Sequence, residues 1–83
     1  MKITVKYFAS IREAIGVGSE SVTTSAATLA ALRDELVARG GSHEHSLARG
    51  KTLRMALNQT MADEATVLAD GAEVAFFPPV TGG

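Results

Sequence analysis

The sequence has 83 residues, 46% of them hydrophobic and 20% charged, which suits one small folded domain, excludes a disordered chain, and leaves no room for a large internal active site. Eight basic against nine acidic side chains give a net charge of −1 without a basic run, so a nucleic-acid partner is disfavoured. Cysteine is absent, which removes disulfides, thiolate chemistry and most zinc sites, and no apolar stretch is long enough for a secretion signal or a membrane span, so the expected location is the cytosol.

Lys2 to Phe8 alternates as a strand, with Ile3, Val5 and Tyr7 on one face and Lys2, Thr4, Lys6 and Phe8 on the other. Ser10-Ile11-Arg12-Glu13 has the form of a capping box, followed by a short helical stripe of Ile11, Ala14 and Ile15 that Gly16 stops. Ser19 to Thr24 reads as a polar edge strand paired with the first. From Ser25 or Thr28 to Arg39, the spacing of Leu29, Leu32, Leu36 and Val37 gives one apolar helix face, Glu35 and Arg39 stand as a favourable pair, and Gly40-Gly41 end the helix.

Gly41 to Lys51 is polar and reads as irregular, with one helical turn around Glu44 to Ala48. Leu53, Met55 and Leu57 then alternate with Arg54, Ala56 and Asn58 as a third strand, and Asn58-Gln59-Thr60 is a turn. Asp70-Gly71 is a turn signal before a last strand, Glu73 to Phe77, with Val74 and Phe76 inward and Glu73, Ala75 and Phe77 outward. This order implies an α+β chain: a mixed sheet with one main helix packed on one face, as in a β-grasp, ubiquitin-like roll. Residues 1–83 form a single such domain, whose first and last strands are central neighbours and whose tail, 78–83, projects from the sheet.

The tail reads Phe76-Phe77-Pro78-Pro79-Val80-Thr81-Gly82-Gly83. Pro78 and Pro79 lack the amide hydrogen for ladder pairing and fix φ, so they end the sheet and launch the chain stiffly outward. Val80 and Thr81 are a spacer, and Gly82 and Gly83, without β-carbons, can thread a channel closed to any side chain. Such a tail presents its terminal carboxylate, an anion with a pKa of about 3.5 and a poor electrophile. Activation by ATP as an acyl-adenylate, then displacement of AMP by a sulfur donor, would leave a thiocarboxylate, which carries sulfur without cysteine.

Phe8 and Phe77 point away from the helix-packed face on neighbouring strands, and Met61 lies just past the Asn58 turn. Together they form a candidate docking patch beside the tail exit. His43 and His45 are two apart with no third ligand nearby, which suits a solvated loop better than a metal site. Asn58-Gln59-Thr60 matches a glycosylation acceptor that has no meaning without secretion. No nucleophile with its base, paired acids or phosphate loop supports an independent enzyme.

Leu68 to Gly83, supported by Asn58-Gln59-Thr60 and by Phe8-Ala9, Arg12-Glu13 and Gly16, resembles the small subunits of molybdopterin synthase, the ubiquitin-like sulfur carriers of molybdenum cofactor biosynthesis. The resemblance runs over essentially all 83 residues. It implies that Gly83 is adenylated by an E1-like adenylyltransferase using ATP and magnesium, receives sulfur from a donor such as a cysteine desulfurase or rhodanese, and carries it as a thiocarboxylate. It further implies that the tail enters the large, catalytic subunit and gives sulfur to a pterin precursor to form the dithiolene, two carriers serving a dimer of large subunits. The chain itself then binds no cofactor and is a non-catalytic subunit. A terminal Gly-Gly is shared with ubiquitin and the thiamine sulfur carrier, so a carrier for thiamine synthesis or tRNA thiolation, a modifier conjugated to lysines, and a non-covalent interaction domain with an inert tail are the other readings.

Overall fold

The alternation of the first strand carries directly into the fold. In the computed structural model, which describes residues 1–79, β1 (Lys2–Tyr7) buries Ile3, Val5 and Tyr7 and leaves Lys2 and Thr4 in water. Five strands form one mixed sheet in the order β2-β1-β5-β3-β4, where β2 is Ser19–Thr23, β3 Arg54–Leu57, β4 Thr60–Ala62 and β5 Glu73–Phe77. β5 runs parallel to β1 in the centre, with Val5 beside Val74 and Tyr7 beside Phe76, and antiparallel to β3 on its other side. A parallel pair needs a crossover, and the chain between β2 and β3 supplies it with α2 (Leu29–Val37) and α3 (Gly41–Leu47), while α1 (Ala9–Ile15) follows β1.

The helices cover one face only. Leu29, Leu32 and Leu36 of α2 and Leu47 of α3 close over Ile3, Val5, Tyr7, Val74 and Phe76, and each such side chain contributes about 1.5–3 kcal/mol when removed from water. Tyr7 and Phe76 stack at 6.4 Å with their planes 17° apart. Thr28 caps α2 by accepting from the Ala31 amide at 3.2 Å, so of the two starts allowed by the sequence the structure takes the later one. The bridge between Thr28 and Val67, with Leu68 N–H donating to the Ala27 carbonyl at 2.9 Å, ties this start to the loop before β5.

Two turn motifs do more than reverse the chain. Asn58 and Gln59 both take positive φ, 49° and 69°, the two-residue hairpin geometry that Asn tolerates. The Asn58 side chain also accepts from the Glu73 amide at 2.9 Å, fastening the turn to β5. Asp70 accepts from the Lys2 amide at 2.8 Å and Gly71, at φ 82°, donates to the Lys2 carbonyl, so this turn fixes the start of β1 as well as that of β5.

Five expectations are corrected. The capping box does not form: α1 starts at Ala9 with Phe8 as its cap and no side-chain capping bond, so Ser10 already lies inside the first turn and its hydroxyl is out of place. Glu35 and Arg39 do not pair with each other; Glu35 accepts from the Thr24 hydroxyl, and Arg39 reaches Glu20 at 2.7 Å. Tertiary partners outcompete an exposed helical pair worth only about 0.3–0.5 kcal/mol. Residues 41–47 are helical throughout as α3, because burying Leu47 completely rewards the segment. β4, absent from the sequence reading, forms because the tight turn at Asn58 folds Thr60–Ala62 back onto β3.

His43 is also not in a solvated loop. Its ring packs edge-on against Tyr7 at 5.9 Å, and its Nε2 lies 2.8 Å from the Glu20 carboxylate, which accepts from the Tyr7 hydroxyl at 2.6 Å and from Arg39. Burial alone would raise the Glu20 carboxyl, but these three hydrogen-bond donors outweigh it and hold the pKa at about 2. Burial, reinforced by Glu20, pushes the Tyr7 phenol well up, so it remains a donor. With the folded pKa depressed, Glu20 stabilises the fold fully above its ordinary value of 4.5, and that contribution is lost as pH falls toward about 2. Melting temperatures measured from pH 5 to pH 2 will fall for the native chain and fall less steeply for Glu20→Gln.

Candidate functional site

The sheet face away from the helices adjoins the end of β5, where Pro78 follows Phe77. Its residues follow from pairing register: Phe8 stands beside Phe77, which stands beside Arg54, and one row inward Lys6, Ala75, Ala56 and Met61 lie across four strands. Phe8 and Phe77 meet edge-to-face with ring centroids 6.4 Å apart, a favoured aromatic geometry. Phe8 is 46% and Met61 56% exposed, large values for apolar side chains. Ala56 and Ala75, both nearly covered, form a low floor between the taller side chains.

Two of the three patch residues expected from the sequence are thus in contact. Met61 shares the face but sits on β4, with β3 between it and β5, so it borders Ala56 rather than touching the Phe8–Phe77 pair. Strand spacing of about 4.8 Å places it on the order of 10 Å from Phe77. The three side chains therefore frame a shallow apolar surface. Lys6 and Glu73 neutralise each other at its far end at 3.4 Å.

β5 delivers the chain to Pro78 at the edge of this surface, and φ fixed by Pro78 and Pro79 prevents β5 from continuing. Pro79 borders an open groove of about 670 Å³ that includes Arg33, Lys51, Arg54 and Met61, and Pro78 borders a smaller one of about 270 Å³ with Ile11, Ala14 and Leu53. Both are open surface features without a converging set of catalytic groups. Val80, Thr81, Gly82 and Gly83, named as spacer, threading and reacting residues, lie outside the described residues.

Sequence reasoning missed two contributors. Arg54 is visible in the alternation of the third strand, where it shares a face with Ala56 and Asn58. The small floor of Ala56 and Ala75 was likewise in the pattern, but its meaning depends on register, which only pairing supplies.

A mixed five-stranded β-grasp sheet with a surface aromatic pair, Phe8 exposed and Phe77 half-buried, just before two prolines defines a ubiquitin-like carrier domain. The chain belongs to the ThiS family, whose model matches residues 5–83. It is 43% identical over 81 residues to the molybdopterin synthase sulfur carrier subunit of Escherichia coli, covering 98% of this chain and 99% of that protein, and 41% identical with the same coverage to the protein of that name from Haemophilus influenzae. Among solved structures, SAMP1 from Haloferax volcanii superposes with a TM-score of 0.80 at 27% identity over the whole of both chains. A chain of the complex of subunits 1 and 2 of molybdopterin-converting factor from Helicobacter pylori does so at 0.69 and 28%, again over both whole chains.

Proposed function

We propose that this chain is the sulfur carrier subunit of molybdopterin synthase, with the Gly83 carboxyl as its exchangeable group. The observation that carries the reading is the exit geometry: a central strand is followed by two prolines next to the edge-to-face Phe8–Phe77 pair on the sheet surface, within a family match that runs to residue 83. An E1-like adenylyltransferase binds ATP and magnesium, and the Gly83 carboxylate attacks the α-phosphorus to give acyl-adenylate and pyrophosphate. A persulfide-bearing donor, such as a cysteine desulfurase or rhodanese, then displaces AMP through its terminal sulfur, and a second thiol cleaves the acyl disulfide so formed, leaving the donor sulfur in a disulfide and the chain with a thiocarboxylate. The resulting thiocarboxylate enters the large subunit and transfers its sulfur to a pterin precursor, regenerating the carboxylate. General acids, bases and substrate contacts belong to the partners; Gly82 and Gly83 offer the acyl group without steric hindrance.

Incubating the full chain with the activating enzyme, ATP and a sulfur donor should add the mass of an oxygen-to-sulfur exchange at the C-terminus. Two equivalents of the product per pterin precursor, mixed with the large subunit, should form the dithiolene, each carrier giving one sulfur and returning to the carboxylate. A chain lacking Gly82 and Gly83 should give neither product, and unimpaired turnover by it would refute the reading. A second reading, conjugation to lysines, is favoured by the small archaeal modifier protein 1 of Haloferax volcanii, which aligns at a TM-score of 0.77 and 25% identity. It predicts isopeptide adducts of the chain on other proteins in cells.

A further inference from the structure

Strand register places two cations, Lys6 and Arg54, close to the aromatic pair of the proposed docking face. Lys6, Arg33, Arg39 and Arg49 each have an acidic partner, at distances such as 3.4 Å for Lys6 and 2.7 Å for Arg39. Arg54 has none among the described residues, although it is exposed and stands next to Phe77 in register. Asp63 is the residue that would face it one step beyond β4, but the Asp63 carboxylate is turned into its own loop, accepting from the Ala65 amide at 2.9 Å and lying 3.4 Å from the Thr66 hydroxyl. The face therefore presents a row of Phe8, Phe77 and Arg54: two aromatic rings flanked by one unneutralised guanidinium.

We propose that Arg54 is the charged anchor of this face and pairs with a carboxylate on the large subunit that receives the tail. The inference rests on the carrier reading above and gives the partner's surface its chemistry: apolar opposite Phe8 and Phe77, acidic opposite Arg54. Register holds Arg54 beside Phe77 at the rim of the apolar face, and the backbone amides of β3 are committed to its neighbours, so the guanidinium is what this strand offers to a carboxylate on a docked protein surface. Arg presents a planar fork that matches a carboxylate with two parallel hydrogen bonds. A charge at the rim of an aromatic patch acts mainly on association rate and partner choice.

Lys2 provides an internal control. It is another exposed cation without an ion-pair partner among the described residues, on the same face of β1 but six residues before Phe8. That is about 20 Å at strand rise, well beyond a screening length of about 8 Å at physiological salt. Arg54→Glu and Lys2→Glu make the same change in net charge, so a general electrostatic effect would weaken both alike.

The test is the association of the full chain with the large synthase subunit, by calorimetry for affinity and stopped-flow for rate, at two salt concentrations, with melting curves to verify folding. Arg54→Glu should weaken binding about thirtyfold, mostly through a slower on-rate, and flatten the salt dependence. Arg54→Gln, the variant to rely on if the glutamate chain melts early, should lose about fivefold, Arg54→Lys, which keeps the charge but not the fork, should keep the native on-rate and recover only part of the affinity, and Lys2→Glu should stay within about twofold of the native chain. Native affinity for Arg54→Glu and Arg54→Gln, while Phe77→Glu fails to bind, would overturn the role of Arg54 and leave the docking face standing. Equal weakening by Lys2→Glu and Arg54→Glu would also overturn it, in favour of a diffuse charge effect. Native affinity for Phe77→Glu would remove the docking face itself.

Discussion

Phe77→Glu is expected to reduce affinity for the large subunit by about a hundredfold or more while leaving far-UV circular dichroism unchanged. The two halves of this result have separate causes. Phe77 is on the water side of β5, half-buried, and touches Phe8 edge-on rather than entering the core; losing that contact costs the isolated fold about 1 kcal/mol. In a docked complex, however, the ring would sit under the partner immediately before Pro78, and a carboxylate there would be desolvated without a counter-charge. Phe76, one residue earlier, is fully buried and stacked on Tyr7. Phe76→Glu should therefore unfold the chain, which makes it the control for the assay. Binding that survives Phe77→Glu would place the docking face elsewhere, and collapse of the fold would make Phe77 a core residue.

The contrast between Phe76 and Phe77 was legible in the sequence because a strand has a strict period of two, and one apolar anchor such as Val74 sets the phase for the whole segment. The same logic exposed Ile3, Val5 and Tyr7, while spacing of three and four gave the α2 stripe and turn-forming residue types gave the turns at Asn58 and Asp70. What escaped lies where the outcome depends on residues distant in sequence. Ser10 and Glu13 satisfy a local capping rule, but the start of α1 is set by where β1 ends, at Tyr7. Glu35, Arg39 and His43 look like surface charges, yet Glu20 and Thr24 from β2 and its end claim them. α3 is polar apart from Leu47, so its helical pattern is weak until the cavity that Leu47 fills exists. The reacting end of the site was read from residue types and resemblance, whereas Arg54 required register to connect it with Phe77.

Arg33→Ala is expected to lower stability by about 3 kcal/mol, a large share of the roughly 4–12 kcal/mol typical of a chain this long. Arg33 looks like one more charge on α2, but it is nearly fully buried. Its Nε donates to the Leu47 carbonyl at 2.7 Å, its Nη2 to the Ala48 and Lys51 carbonyls at 2.8 and 2.9 Å, and its Nη1 to Glu64 at 3.2 Å. Leu47 and Ala48 end α3, where carbonyls have no partner within the helix, so the guanidinium acts as a C-cap delivered from another helix. Truncation would leave three carbonyls without that donor and Glu64 without one of its two arginines. The melting temperature should fall by about 10–20 °C. Arg33→Lys should recover only part of this, because a single ammonium cannot span three carbonyls held by a rigid fork. Hydrogen exchange gives the local signature: amides from Leu47 to Lys51 should lose protection before those of β1 and β5. That segment leads into β3 three residues later, and Lys51, Arg54 and Pro79 border one groove, so loosening it should also blur the placement of Arg54 beside the tail exit. An Arg33→Ala chain that melts within a few degrees of the native one would mean that water satisfies those carbonyls and that the arginine does not anchor the loop.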